Sequence, residues 1–445
     1  MYNILRPADI ASGGPARPKQ PMNEQPRHFQ DLPEPESIDR RRSPLMFPVD
    51  LRAVEVAEGV HWIAAGSCAG WVTTPEGVVL IDSGLGRREV FEELRRTAGD
   101  APIRYVIYTH GHEDHVLLAE RFAQLAPDGQ VIAHGFVPER LRKYEELRTH
   151  TNRINSIQFH LPMPVQERDY KYPDIVYWDT YSFELGGRRF ELFHGRGETD
   201  DATVVHLPDD GVVFAGDFLI SALPNLGNPY KVPRYCRGWI ETLERILSLQ
   251  PQVVAPGHGV GLLSGEREVQ AGLGDTVRAL RFLHDEVLRR LNEGQQLEQM
   301  VAEVRLPPQL EESPYLRQTY SRVEFAVIAI HRAYAGWFDG DPSDLFPLPR
   351  RAIAHELRQL IGDDGAIISR AEALWSEGRR QEAVELVQIV LRDAPDHTQA
   401  RRTRLRWMEA LLQDDRCVMS RGAWHHFADQ DRGFLAKHAQ RKTSP

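Results

Sequence analysis

The sequence predicts an α/β chain, an αββα sandwich over residues 49–265 followed by an all-α helical region. Two observations predict it. Up to about residue 265, short β-rich runs bounded by glycines alternate with helical stretches and fall into two strand-rich halves, the pattern of helices packed outside two sheets. Beyond that point the β-rich runs stop and apolar residues recur at helical spacing.

Taken in order, residues 1–48 read as an extended arm, because PARPKQPMNEQPRHFQDLPEPE is rich in proline and charge and offers no apolar face. From Val54 the runs VHWIAAG, GWVTT and GVVLIDSG read as strands, RREVFEELRRT as a helix and IRYVIYT as a further strand. A helix through LLAERFAQLA and a strand QVIAH follow. Residues 182–216 return to hairpin-like strands, with Gly186-Gly187 and Asp209-Asp210-Gly211 as turn signals, and the strand QVVAPGHG closes the layered domain. The stretches VRALRFLHDEVLRRL, LEQMVAEV and YSRVEFAVIAIHRAYAGWF are helical by spacing, and FDGDPSDLFPLP breaks them. Residues 366–412 read as a helical hairpin like a single tetratricopeptide unit, with Gly378 at its turn, and no tandem copies are present. The helical domain is placed at 266–425 and a polar tail at 426–445.

Composition narrows the class. With 445 residues the chain is long enough for two or three domains. No apolar run approaches the roughly 18 residues that a membrane span requires. A net charge of −10 argues against nucleic acid as a partner, since that binding rests on cationic neutralisation of phosphates. Cys68, Cys236 and Cys417 stand far apart with no CxxC pair, so free thiols in a reducing compartment are expected. No secretory signal is readable in the first twenty residues, which makes the expected location cytoplasmic.

The chemistry concentrates in Thr109-His110-Gly111-His112-Glu113-Asp114-His115, directly after a predicted strand. Four donors at a strand-to-helix transition converge only if the backbone turns sharply, which Gly111 permits. His110 and His112 can project together from an extended loop, while Asp114 and His115 at the helix start point elsewhere, an arrangement suited to two adjacent metals.

In this segment the chain resembles the metallo-β-lactamase superfamily, whose HxHxDH motif is matched by His110, His112, Asp114 and His115. LIDSG with Asp82, the GRGETDD turn, FAGD with Asp217 and APGHG with His258 follow in the superfamily's order. The resemblance implies a metallo-β-lactamase sandwich with two metals. His110 and His112 would serve the first, Asp114, His115 and His258 the second, Asp217 would bridge them, and Asp82 would brace the ligand loop. Where most of the superfamily has a histidine, this chain reads Gly197-Glu198-Thr199, a feature of the alkyl sulfatase branch. Glu198 is therefore the expected ligand, and His194 a rival ligand with a supporting or proton-transfer role. LHDEVLRRLNEG, VRLPPQL and AYAGWFDGDPSDLFPLP resemble that branch's helical dimerisation domain, which implies a homodimer. The branch usually bridges its metals with glutamate rather than aspartate, and it often carries a C-terminal sterol-carrier-like domain for which no room is read here.

The resemblance implies a dinuclear hydrolase of small anionic esters, an alkyl sulfatase first. Two divalent ions, zinc with manganese or iron as alternatives, would bring the pKa of a shared water towards neutrality, so no serine or cysteine nucleophile is needed. Asp114, Asp217 and His194 are the catalytic candidates. An anionic head would be met by Lys231, Arg234 and Arg237 in NPYKVPRYCRGW and by Asn152 and Arg153 in HTNRINSIQF. Tyr170, Tyr172, Tyr177 and Trp178 could form an apolar tail pocket. The same site could serve a lactonase, thioesterase or phosphodiesterase, or with iron a dioxygenase.

Overall fold

A computed structural model describes residues 49–161, 169–220, 222–259 and 261–443. The expected N-terminal arm lies outside them. A seven-stranded sheet runs in chain order through β1 (Asp50–Ala57), β2 (Val60–Ala65), β3 (Ser67–Thr74), β4 (Gly77–Ile81), β5 (Ile103–Ile107), β6 (Gln130–His134) and β7 (Ile175–Tyr177). Its first four strands pair antiparallel and β4 to β7 pair parallel. A six-stranded sheet comprises β8 (Thr180–Leu185), β9 (Arg188–Gly195), β10 (Ala202–Leu207), β11 (Val212–Phe214), β12 (Val253–Ala255) and β13 (Leu263–Ser264), in the order β13-β12-β11-β10-β9-β8.

The strands are near-continuous apolar runs because both faces of the first sheet are covered. Trp62, Ile81 and Ile107 point into the core shared with Phe190, Leu192, Val205 and Phe214 of the second sheet. Their neighbours Ile63, Leu80 and Val106 point outward onto Val90 and Leu94 of α1 (Arg88–Ala98) and Leu141 of α3 (Val137–Glu146), with α2 (Ala119–Leu125) beside them. Each such burial contributes roughly 1.5–3 kcal/mol, so a one-residue slip in register is strongly disfavoured. The helix after the histidine motif begins only at Ala119, so Asp114 and His115 lie in a turn and not at the expected helix start. Ser83 and Asp82 hold that turn by side-chain bonds, to the Val116 carbonyl and the His115 ring.

The helices α5 (Cys236–Ser248), α6 (Glu266–Asn292), α7 (Leu297–Glu303), α8 (Pro308–Glu311) and α9 (Val323–Tyr334) extend this same core. Val269, Leu273, Leu280, Val327 and Ile330 pack with Trp239 and Leu243, so residues 266–334 join the unit of the two sheets rather than a separate helical body. The apolar faces of α6 and α9 are thereby satisfied within one chain.

A second compact unit comprises residues 155–161, from the end of α4 (Arg148–Phe159), with the chain from Ala335 on. It holds α10 (Arg350–Ile361), α11 (Asp364–Ser376), α12 (Arg380–Asp393), α13 (Thr398–Asp414) and α14 (Val418–Thr443) around Ile368, Leu374, Val387, Trp407 and Ala428. Of the expected polar tail, residues 426–443 belong to α14. Trp424 and Phe427 pack on this core, and Asp431, fully buried, accepts from Arg401 and Arg404 at 2.7–2.8 Å.

Candidate metal centre

Four loops at strand ends bring the donors together. Asp82 follows β4 with φ +56°, a conformation that costs energy in a non-glycine residue. Its Oδ1 accepts the Thr109 N–H at 2.7 Å, and its Oδ2 accepts the Thr109 hydroxyl at 2.6 Å and His115 Nδ1–H at 2.8 Å. The Thr109 oxygen in turn faces His110 Nδ1 at 3.1 Å, and His258 Nδ1–H donates to the Gly66 carbonyl at 2.6 Å. All three imidazoles thus spend Nδ1 outward and present Nε2 inward, the way outer partners fix the tautomer of a ligand histidine. His112 faces the cluster through Nδ1, 2.9 Å from His110 Nε2.

Two donor groups result: His110, His112 and Asp217 in one, Asp114, His115 and His258 in the other, with the ligand atoms of each within 4.8 Å of one another. Asp217 stands between them. Its Oδ2 is 3.7 Å from His110 Nε2 and 3.5 Å from His258 Nε2, and its Oδ1 is 3.4 Å from His115 Nε2. Asp217 sits on the 3₁₀ turn Gly216–Phe218 after β11, and a Cβ on the facing Gly257 would fall 2.1 Å from Oδ1. Only glycine allows that approach. Glu198 Oε1 is 3.6 Å from His112 Nδ1, at the edge of the first group.

The donor set fits cations. Two nitrogens on one tetrahedral zinc stand about 3.3 Å apart, given bonds of about 2.0–2.1 Å, and the separations here are of that size. Asp217 Oδ1 and Glu198 Oε2 are buried and have no hydrogen-bond donor among the described residues. Such oxygens are costly to bury unless a positive charge compensates them.

The electrostatics divide the cluster. Burial pushes His110 down to about 4 and holds His112 well below the usual imidazole range. Burial opposes the charged form of His115 and His258 as well, yet Asp217 and Asp114 outweigh it, raising His115 to about 9 and His258 well above its ordinary value. Burial also works against the Asp114 and Asp217 carboxylates, and the imidazoles around them hold both well below the usual carboxylate range. Glu198 is pushed up to about 7 by burial, against Arg234 and with Asp217.

Of the remaining candidates, Arg234 reaches the cluster, and Lys231 feels its charges. Arg234 pairs with Glu198, and Lys231 is drawn down to about 8 by burial and Arg234, with Glu113, Glu198 and Asp114 acting in the opposite sense. Asn152 is buried in α4, whereas Arg153 is exposed beside His150, and Arg237 is exposed and pairs with Glu241 on its own helix. His194, on β9, stands outside both donor groups: its Nε2 donates to the Asp200 carbonyl at 2.8 Å and its ring stacks on His134. The four aromatic residues do not line one pocket. Tyr170 packs in the outer core, Tyr172 beside it reaches Glu145, Tyr177 packs between the sheets and donates to Thr203, and Trp178 is exposed. Sequence reasoning did not single out Arg140 and Asp201, an ion pair at 2.8 Å beside Gly111. Their only signal was a second acid after GETD, since the pairing itself is tertiary.

Residues 66–258 match the metallo-beta-lactamase superfamily, and residues 296–433 match alkyl sulfatase dimerisation. A linear primary-alkylsulfatase of Pseudomonas sp. (strain ATCC 19151) is 27% identical over 380 residues, covering 76% of this chain and 69% of its own. An (R)-specific secondary-alkylsulfatase of Pseudomonas sp is 26% identical over 227 residues, covering 50% and 34%. The solved stereoselective inverting sec-alkylsulfatase of Pseudomonas sp. superposes with a TM-score of 0.75 at 20% identity, covering 86% of this chain. This chain spans 65% of the length of that one.

Proposed function

For a chain that joins a metallo-β-lactamase domain to an alkyl sulfatase dimerisation domain, we propose a dinuclear metal-dependent hydrolase of alkyl sulfate esters. The observation that carries the dinuclear reading is the pair of His/Asp donor groups with Asp217 of the first standing 3.4 Å from His115 of the second. His110, His112 and Glu198 would hold one ion, Asp114, His115 and His258 the other, and Asp217 both. Two such ions, zinc before manganese or iron, supply Lewis acidity and make water acidic enough to act near neutral pH.

The chain's own residues support the rest. Asp82 and Thr109 hold the imidazoles in register, and Lys231, on which the charges of Glu198 and Asp114 act, would meet an anionic head. A cysteine nucleophile is disfavoured, because burial and then Asp217 and Asp82 hold the Cys68 thiol well above its ordinary value. The alkylsulfatase relatives support the substrate class, and the dimerisation match supports a homodimer.

The test is metal analysis of the purified chain with an activity panel of octyl sulfate, an acyl lactone and bis-nitrophenyl phosphate. Close to two metals per chain and turnover of octyl sulfate, abolished by chelation and by Asp217→Ala, are expected. Turnover of the lactone or phosphodiester without any sulfate ester removes the sulfatase reading and keeps the dinuclear one.

A further inference from the structure

The loop that carries His110 and His112 is fastened to the turn that carries Glu198 by a contact outside both donor groups. Gly111 N–H donates to Asp201 Oδ2 at 3.1 Å, and the same oxygen accepts Arg140 Nε–H at 2.8 Å. Asp201 is fully buried, and the Arg140 side chain is 17% exposed. Arg140 also donates through Nη2 to Asp200 Oδ1. The backbone closes the same seam, with Thr203 N–H donating to the Thr109 carbonyl at 2.6 Å. A Cβ on Gly111 would lie 2.8 Å from Asp201 Oδ2 and 3.0 Å from Arg140 Cδ, so the contact itself demands glycine there.

Glycine has the widest backbone freedom of any residue, and here it separates two imidazoles whose spacing depends on its φ and ψ. Its N–H is tied to Asp201, and Asp201 is tied to α3 through Arg140. We infer that Asp201 and Arg140 are positioning residues that keep His110 Nε2 and His112 Nδ1, 2.9 Å apart here, turned towards one shared cation. They belong to neither donor group and act through the backbone of Gly111. The inference rests on the reading of His110 and His112 as ligands.

The experiment titrates the full chain, stripped of metal, with Zn²⁺ against a chromophoric chelator, and records the visible spectrum of the Co²⁺ form. Asp201→Asn and Arg140→Ala should weaken one of the two metals by about 10-fold or more, the scale on which outer partners tune a metal site. They should also shift the Co²⁺ spectrum, which a general loss of stability would not do. Arg140→Lys keeps a buried positive charge and should recover part of the affinity, which keeps the test open if Asp201→Asn fails to fold. Wild-type affinity for both metals in the Arg140 variants, with one metal lost in His110→Ala, overturns the positioning role. Two metals retained in His110→Ala as well would instead sink the ligand reading beneath it.

Discussion

Arg234 Nη1 lies 2.7 Å from Glu198 Oε1, with the two side chains only 7% and 4% exposed. The same nitrogen donates to the Asn225 carbonyl at 2.8 Å. An arginine that the sequence offered as a substrate anchor therefore has its charge engaged by a carboxylate of the metal centre.

Arg234→Ala should destabilise the metal-free chain by up to about 3–5 kcal/mol, the cost of leaving a buried charge without its partner, less what Glu198 recovers by taking up a proton. Zinc should restore part of that loss, and Arg234→Lys should lose less. Thermal unfolding with and without zinc reads both. A wild-type midpoint for metal-free Arg234→Ala would mean that the pair is not a buried ion pair in solution.

Glu198→Gln should lower the metal content, whereas His194→Ala should keep both ions, because His194 Nε2 is already donated to the Asp200 carbonyl. Elemental analysis of the two variants decides. Loss of metal in the histidine variant alone reverses the roles.

The segments that imply the dimer run from LHDEVLRRLNEG in α6 to AYAGWFDGDPSDLFPLP at the end of α9 and beyond, yet much of α6 and α9 is buried within their own unit. The most exposed large apolar side chains beyond α9 include Trp337 at 68% exposure, Phe346 at 80%, Leu348 at 71% and Leu360 at 82%. Large apolar side chains left in water favour association. Light scattering at micromolar concentration should give twice the 50.7 kDa chain mass, and Phe346→Asp with Leu360→Asp should give the monomer. A wild-type monomer refutes the homodimer.

Hydrolysis of an alkyl sulfate in ¹⁸O-water should place the label in the alcohol. Sulfate is a weak base and leaves without help from an acid, and His194, the acid the sequence proposed, directs its Nε2 at a carbonyl. Label in the sulfate would mean attack at sulfur and would return His194 to candidacy as the proton donor.

The helical unit should weaken in acid. Burial, with His160 stacked on its ring and Arg421 nearby, holds half-buried His425 down at about 4, against an ordinary 6.5. Between those two values the unfolded chain binds more protons than the folded one, so stability is full above about pH 6.5 and falls as pH drops towards 4. Hydrogen exchange in α14 at pH 7 and pH 5 should show the loss in wild type and less of it in His425→Phe. Equal pH dependence in both would place the cause elsewhere.

The sequence by itself determined the layered fold and the histidine motif, because both are written in near neighbours. Continuous apolar runs such as GVVLI are strands covered on both faces, and donors two and three residues apart on one turn converge whatever the rest of the chain does. His258 was legible through the resemblance alone, as the histidine of APGHG, and the structure adds that only Gly257 fits beside Asp217 there. Tertiary structure alone decided the partners of the long polar side chains. Arg234 and Glu198 are 36 positions apart and Arg140 and Asp201 are 61 apart, and nothing local distinguishes a buried arginine from exposed Arg153 or Arg237. A buried charge takes whichever opposite charge the fold carries within reach, since leaving it unpaired costs more than almost any local preference. The same holds for Tyr170 and Tyr177, seven residues apart and buried in different cores, and for α6, whose periodicity announced an apolar face but not the α5 and β13 surface that covers it.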